Sequence, residues 1–331
     1  MKAIVHDRYG APGVLRLDEV DRPVPAGDQV LVRVRAASVN ARDWHFMRGD
    51  PYLARLMAPG LGGLRRPKLR IRGTDFAGVV EAVGRDVPGL RVGDEVYGEA
   101  HGAFAEYVCA PANAVDRKPD NLSFEQAAAV PVSGITALQA LRDHGRVRAG
   151  QHVLVIGASG GVGTFAVQIA KALGAHVTAV ASTRKLDLVR SLGADDVIDY
   201  THTDIGDDGK RYELVLDIGG NRPLSRLRRV LTSDGTLVIV GGEGGGRWTG
   251  GIHRQLGAMV LSLFVRQRLR TFIAKPNSAD LDALRALIEA GSVMPSVDRV
   301  AALGDVPDAI RDLANGRVRG KAVIANDAPS G

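Results

Sequence analysis

Four glycines within seven residues, Gly157-Ala158-Ser159-Gly160-Gly161-Val162-Gly163, have the make-up of a turn that holds an anion on main-chain N–H groups. Val153-Leu154-Val155-Ile156 precedes it, a short apolar run of the kind buried in a parallel sheet. After it, Val162, Ala166, Ile169 and Leu173 recur at helical spacing on one face, and Gly174 reads as the C-terminal cap. Strand, glycine turn and helix in that order aim the free N–H groups and partial positive charge of the helix start at one point. Glycine also lets the backbone approach a pyrophosphate, and at Gly163 lets helix and strand pack closely. The expected ligand is a dinucleotide. A purely structural turn would share the glycines but would not require the strand on either side.

The next strand, 177–181, decides which dinucleotide. NAD sites place an acid about 20 residues beyond the loop, against the ribose hydroxyls. Here the strand ends Ala181-Ser182-Thr183-Arg184-Lys185, with no acid before Asp187. Ser182, Arg184 and Lys185 suit a 2′-phosphate, so NADPH is expected. The alternative is that Arg184 and Lys185 are solvated residues opening the next helix.

The elements that must position these groups change character along the chain. Up to about residue 119 the text is strand-like and turn-rich: Val30-Leu31-Val32-Arg33-Val34 alternates, and 76–83 is a β-branched run closed by Gly84. That pattern predicts a small, mostly antiparallel barrel. After about 122, helical patterns alternate with short apolar runs at 153–156, 177–181, 197–198, 214–216 and 237–240, the order of a parallel α/β sheet. Residues 306–313 read as a helix and 321–324 as a strand returning to the first domain. The expected division is 1–122 with 295–331 for the first domain and 123–294 for the nucleotide-binding one.

Composition closes off other classes. The chain has 331 residues, 45% hydrophobic and 24% charged, ordinary for a globular protein; disorder is expected only after Asn326. Its one cysteine, Cys109, lies in a strand-like run, so no disulfide within the chain and no thiolate zinc cluster can form. The net charge of +6 could serve nucleic acid, yet neither basic cluster (65–72 and 266–270) interleaves aromatics, so an anionic cofactor is the better account. The longest apolar run, 256–265, is too short for a bilayer. No membrane association is expected, the N-terminus is not read as a signal peptide, and the cytoplasm is the expected location. The apolar residues Leu256, Val260, Leu263 and Phe264 are expected in the core or in a dimer contact.

Taken together, the loop, Gly78-Val79-Val80-Glu81-Ala82-Val83-Gly84, Val92-Gly93-Asp94-Glu95-Val96-Tyr97-Gly98, the pair Val130-Pro131, Gly134-Ile135-Thr136-Ala137 and Gly320-Lys321-Ala322-Val323 resemble the medium-chain dehydrogenase/reductase superfamily. Within it the chain is similar to the zinc-free quinone oxidoreductase group. The resemblance implies a GroES-like, mostly-β barrel domain with a doubly wound Rossmann domain, a homodimer, and small-molecule chemistry. Zinc members of the superfamily use a cysteine and a Gly-His-Glu triplet; the matching places are Asn40-Ala41-Arg42-Asp43 and Gly73-Thr74-Asp75, so no metal is expected. Without a Lewis acid, the surviving chemistry is hydride transfer to a quinone or to a C=C conjugated to a carbonyl.

By the same resemblance, Ser159, Gly160, Gly161, Val162, Ser182, Lys185 and Tyr200 would touch the cofactor. Thr136 would sit beside the nicotinamide ribose, Gly241 and Gly242 behind the nicotinamide, and Lys321 would close the site. Asn40 and Asp43 are candidates on the substrate side, Asn40 as a donor to a carbonyl oxygen. Asp43 could equally cap a short helix beginning at Trp44, and Tyr200 could be a surface residue at a strand end. The segment 49–72 is expected to shape the pocket as a lid. Two other functions stay open: a zinc-free reductase of enoyl thioesters, and an NADPH-binding protein with a structural or RNA-binding role.

Overall fold

The computed structural model describes residues 1–52, 63, 66–220, 222–241 and 246–326. In chain order the strands are β1 (Lys2–Val5), β2 (Arg16–Glu19), β3 (Gln29–Ser38), β4 (Asp75–Val83), β5 (Glu95–Glu99), β6 (Tyr107–Pro111), β7 (Val115–Arg117), β8 (His152–Ile156), β9 (His176–Ala181), β10 (Asp196–Asp199), β11 (Tyr212–Asp217), β12 (Leu231–Ile239), β13 (Arg268–Thr271), β14 (Val297–Ala302) and β15 (Lys321–Ala325). The chain forms two compact units, 1–132 with 276–290 and 295–331, and 133–275 with 291–294.

The first unit is built on β3. One edge of β3 pairs antiparallel with β4; the other pairs with β6 over residues 29–33 and with β15 over 36–38. The unit therefore combines a strand from the far end of the chain with strands from its start. Inward-facing residues of these strands, among them Val30, Val32, Phe76, Val96 and Ile324, make one apolar core with Phe104 and Ile310. Register matters for the chemistry: Ser38 lies opposite Asp75 on β4 and opposite Val323 on β15, so the ends of three strands meet at one place.

The second unit holds a six-stranded, wholly parallel sheet in the order β10-β9-β8-β11-β12-β13. Its inner strands β8, β9 and β11 are largely buried along their length, the condition of a parallel sheet covered on both faces, while the edge strands β10 and β13 are more exposed and more polar. The winding reverses between β8 and β11. In open α/β sheets a ligand binds beyond the carboxyl ends of the strands at that switch point. The expected α/β architecture, with a mostly antiparallel first unit, is the one observed.

Three local expectations change. The helix after β3 begins at Ala41, not Trp44, with Asn40 at its N-cap and Asp43 at the third helical position, where its carboxylate accepts the Asn40 N–H. The helix Ile252–Leu261 does not turn its apolar face into the core: Leu256, Met259 and Val260, with Leu263 and Phe264 beyond, are all more than half exposed. Leu173, expected on the buried face of the loop helix, is partly exposed at its C-cap, while Ala166 and Ile169 are buried. Residues 53–62 and 64–65 of the expected lid lie outside the described residues.

Candidate active site

β8 delivers the chain to Gly157, whose φ of +85° is a left-handed value that glycine adopts without strain. The chain then folds back on itself: Gly160 N–H donates to Gly157 O at 3.2 Å and Ala158 N–H to Val180 O at 3.1 Å, tying the loop to β9. Gly160 is the N-cap of the helix Gly161–Ala172, with Val162 inside its first turn. A Cβ on Gly163 would lie 2.2 Å from Gly157 O, so helix and loop touch where only hydrogen fits. Gly160 differs. Its φ is ordinary, and a Cβ there would meet nothing nearer than Gly157 O at 3.6 Å. Protein packing does not demand glycine at 160, so the room it leaves, beside Ser159 and a helix N-terminus, fits a pyrophosphate. A nicotinamide dinucleotide fits the loop.

At the outer end of the sheet, β10 runs beside β9. Tyr200 N–H donates to Ala181 O at 3.1 Å, and Ser182 caps a short turn in which Lys185 N–H donates to Ser182 O at 2.8 Å. Ser182, Arg184, Lys185 and Tyr200 therefore share one corner. An acid also reaches this corner, from the neighbouring strand. Asp199, opposite Ala181, accepts from Thr183 Oγ1 at 2.5 Å and from Thr201 Oγ1 at 2.6 Å. The Thr183 and Thr201 hydroxyls hold its carboxyl down to about 2. Across the switch point, Gly241 follows β12, and a Cβ on it would lie 1.9 Å from Ile218 O. Gly242 lies outside the described residues. Thr136 belongs to the second unit, buried on the helix Pro131–Gln139.

The first unit gathers Asn40, Asp43 and Lys321 with Asp75 and Glu99. Lys321 Nζ donates to Asn40 Oδ1 at 2.6 Å and to Asp75 Oδ2 at 3.2 Å. Asp75 Oδ2 also accepts from Ser38 Oγ and Asn40 Nδ2, while its Oδ1 accepts Val132 N–H at 3.0 Å. Asp43 Oδ2 is taken by Asn40 N–H and its Oδ1 by Thr74 Oγ1 at 3.2 Å. Burial raises Asp43 to about 6, the Asn40 N–H opposing it. Glu99, paired with Arg42 at 3.2 Å, is raised to about 7 by burial first and by the Asp75 charge second. These groups form one buried network in which each carboxylate is already bonded.

The fit of these residues to zinc is poor. The places that would carry a cysteine and a histidine carry Asn40 and Thr74, and the oxygens of Asp43 and Asp75 are committed to protein donors. Tetrahedral zinc sites are built from thiolate, imidazole and carboxylate groups free to ligate.

A parallel sheet with its glycine loop at the switch point, joined in one chain to a mostly antiparallel unit, defines a nicotinamide-dependent oxidoreductase. The family described as "Alcohol dehydrogenase GroES-like domain" matches residues 26–120, and that described as "Zinc-binding dehydrogenase" matches 192–324. The chain is 33% identical to a 2-methylene-furan-3-one reductase of Solanum lycopersicum, over 98% of this chain and 79% of that protein. A quinone oxidoreductase from Coxiella burnetii shares 31% identity, with a TM-score of 0.86 over 98% of this chain and 99% of that one. The Escherichia coli quinone oxidoreductase, solved in complex with NADPH, shares 26% identity with a TM-score of 0.84, over 98% and 100%. The chain belongs to the medium-chain dehydrogenase/reductase superfamily, in the group that contains quinone oxidoreductases and enone reductases. Its first unit is the GroES-like one and its second is Rossmann-like.

Proposed function

We propose that this oxidoreductase uses NADPH, without zinc, to reduce a quinone or the C=C bond of an α,β-unsaturated carbonyl. The observation that carries the choice of NADPH is the corner at the end of β9. Ser182, Arg184, Lys185 and Tyr200 lie together there, and the carboxylate of Asp199, which comes from the adjacent strand, is spent on Thr183 and Thr201. Zinc independence rests on the donor set at 40, 43, 74 and 75. The relatives named for quinone and for furanone reduction support the substrate class.

With its pyrophosphate on the glycine loop, a bound nicotinamide dinucleotide would supply the hydride. In an enone the hydride joins the β-carbon, the π electrons move to the carbonyl oxygen, and a proton from solvent completes the α-carbon. In a quinone, hydride and proton together give the hydroquinone. Asn40 is the residue proposed to meet the substrate oxygen. One of its amide hydrogens is firmly held by Asp75 at 2.9 Å, and the other makes a long 3.4 Å bond to Ser38 O. That weaker bond is the one exchanged when a substrate oxygen arrives. Lys321 and Asp75 fix the amide orientation. Asp43 keeps the helix start in place. Thr136 and Gly241 are proposed at the nicotinamide end and Gly157, Ser159, Gly160, Gly161, Val162 and Gly163 at the pyrophosphate.

The reading includes a homodimer, in which a second copy covers the exposed apolar residues of 256–264, since a monomer seldom leaves such a patch open. It also includes a cytoplasmic location; no helix among the described residues is long and apolar enough to cross a membrane. The cofactor assignment is tested by Lys185→Glu. A charged hydrogen bond to phosphate contributes about 1.5–3 kcal/mol, so the ratio of kcat/KM for NADPH over NADH should fall roughly tenfold or more. An unchanged ratio would remove Lys185 from the phosphate site.

A further inference from the structure

Asp217 ends β11, next to the point where the winding of the sheet reverses, and it is fully buried. Its Oδ1 accepts Gly220 N–H at 3.2 Å, and its Oδ2 accepts from Arg254 Nη2. Arg254 Nη1 donates in turn to Gly220 O. A carboxylate and a guanidinium thus grip both main-chain groups of Gly220, a residue at φ +69°. Arg254 comes from the helix Ile252–Leu261 and is itself mostly buried. Its Nε is also buried, and among the described residues nothing accepts from it.

The gripped turn is a wall of the proposed cofactor crevice. Ile218 N–H donates to Ile156 O at 3.0 Å, directly before the glycine loop. A Cβ on Gly157 would stand 3.0 Å from Gly219 N, and one on Gly241 would clash with Ile218 O at 1.9 Å. The turn 217–220 is therefore wedged between the glycine loop and the end of β12, with no slack on either side. Displacing a site wall by about an ångström can cost two orders of magnitude in function.

We propose that Arg254, through its ion pair with Asp217, is a positioning residue that holds the turn 217–220 in the shape the dinucleotide requires. The inference rests on the dinucleotide reading of the loop and gives the segment after Gly242 a task the sequence did not suggest. The fork geometry of arginine is what the site uses, because two of its nitrogens serve different oxygens at once.

The test compares NADPH affinity, by nucleotide fluorescence titration, with thermal unfolding of the nucleotide-free protein. The double variant Arg254→Met/Asp217→Asn removes both charges, so neither is left buried alone. Arg254→Lys keeps the charge and loses the fork. Both should bind NADPH at least fivefold more weakly than wild type while the unfolding temperature of the lysine variant stays within a few degrees. Affinity within fivefold of wild type in the lysine variant overturns the proposal, as does a loss that merely follows the folded fraction. Wild-type protein that binds neither NADPH nor NADH would instead remove the dinucleotide reading beneath it.

Discussion

Gly163→Ala is expected to weaken dinucleotide binding at least tenfold and to lower the melting temperature, whereas Gly160→Ala should weaken binding alone. At 163 the added Cβ would stand 2.2 Å from Gly157 O and 2.6 Å from Ala158 Cα, both backbone, so the helix must move away from the loop. Overpacking of that kind costs about 1–3 kcal/mol of stability. The same movement withdraws the helix N-terminus from the pyrophosphate, and losing one charge-assisted hydrogen bond there, about 1.5–3 kcal/mol, weakens affinity roughly ten- to hundredfold. At 160 the protein offers a new methyl group 3.6 Å of clearance, so stability should stay within about 0.5 kcal/mol. The methyl then occupies ligand space only. Titration with NADPH and thermal unfolding of the two variants decide the matter; Gly160→Ala protein binding NADPH like wild type would leave that space without a ligand.

Lys321→Met is expected to cost the protein about 3–5 kcal/mol, the usual penalty for leaving a buried carboxylate without its partner. Asp75 is wholly buried and Lys321 is 2% exposed, so water cannot take over the role of the ammonium. The loss should grow with pH. Burial already raises Asp43 to about 6 and Glu99 to about 7, above their unfolded values, so the folded state binds the extra protons. A group raised in this way contributes its stability below the unfolded pKa and loses it as pH rises through the folded one. Removing the nearby cation pushes both carboxyls further up. The variant should therefore come closest to wild type near pH 5 and fall furthest behind above pH 7. Denaturant unfolding at pH 5 and pH 8 measures this; an equal loss at both values would mean that the charge of Lys321 is not what the network uses.

Much of this could be read directly from the chain. The strand before Gly157, the helix after it and the strands that follow each carry their own period, and local signals of that kind need no partner to be seen. The buried network is different. Asn40, Asp75 and Lys321 are joined across 35, 246 and 281 positions, and only the pairing of β3 with β4 and β15 brings them together. Asp199 is hidden from a linear reading for the same reason: it lies not on β9 but on the adjacent strand.

The start of the helix at Ala41 was within reach. Asn40 and Asp43 stand three apart, the spacing of a cap and its third-position acid, although a glutamate or glutamine is the more familiar partner. The apolar face of the helix Ile252–Leu261 shows the limit of periodicity. It tells which side of a helix avoids water, and it is silent on what covers that side. Arg254, on the same helix, gave no signal because its meaning depends on Asp217, 37 positions earlier.

The central claim, that this chain moves a hydride from NADPH to a quinone or enone without a metal, is tested most directly by one assay. Protein stripped with a chelator and assayed for metal is mixed with NADPH and a panel of quinones and α,β-unsaturated ketones, and NADPH oxidation is followed. The account predicts sustained turnover with at least one acceptor, a preference for NADPH over NADH, and no gain on adding zinc. Turnover that appears only with stoichiometric zinc, or tight NADPH binding with no oxidation by any acceptor, would contradict it.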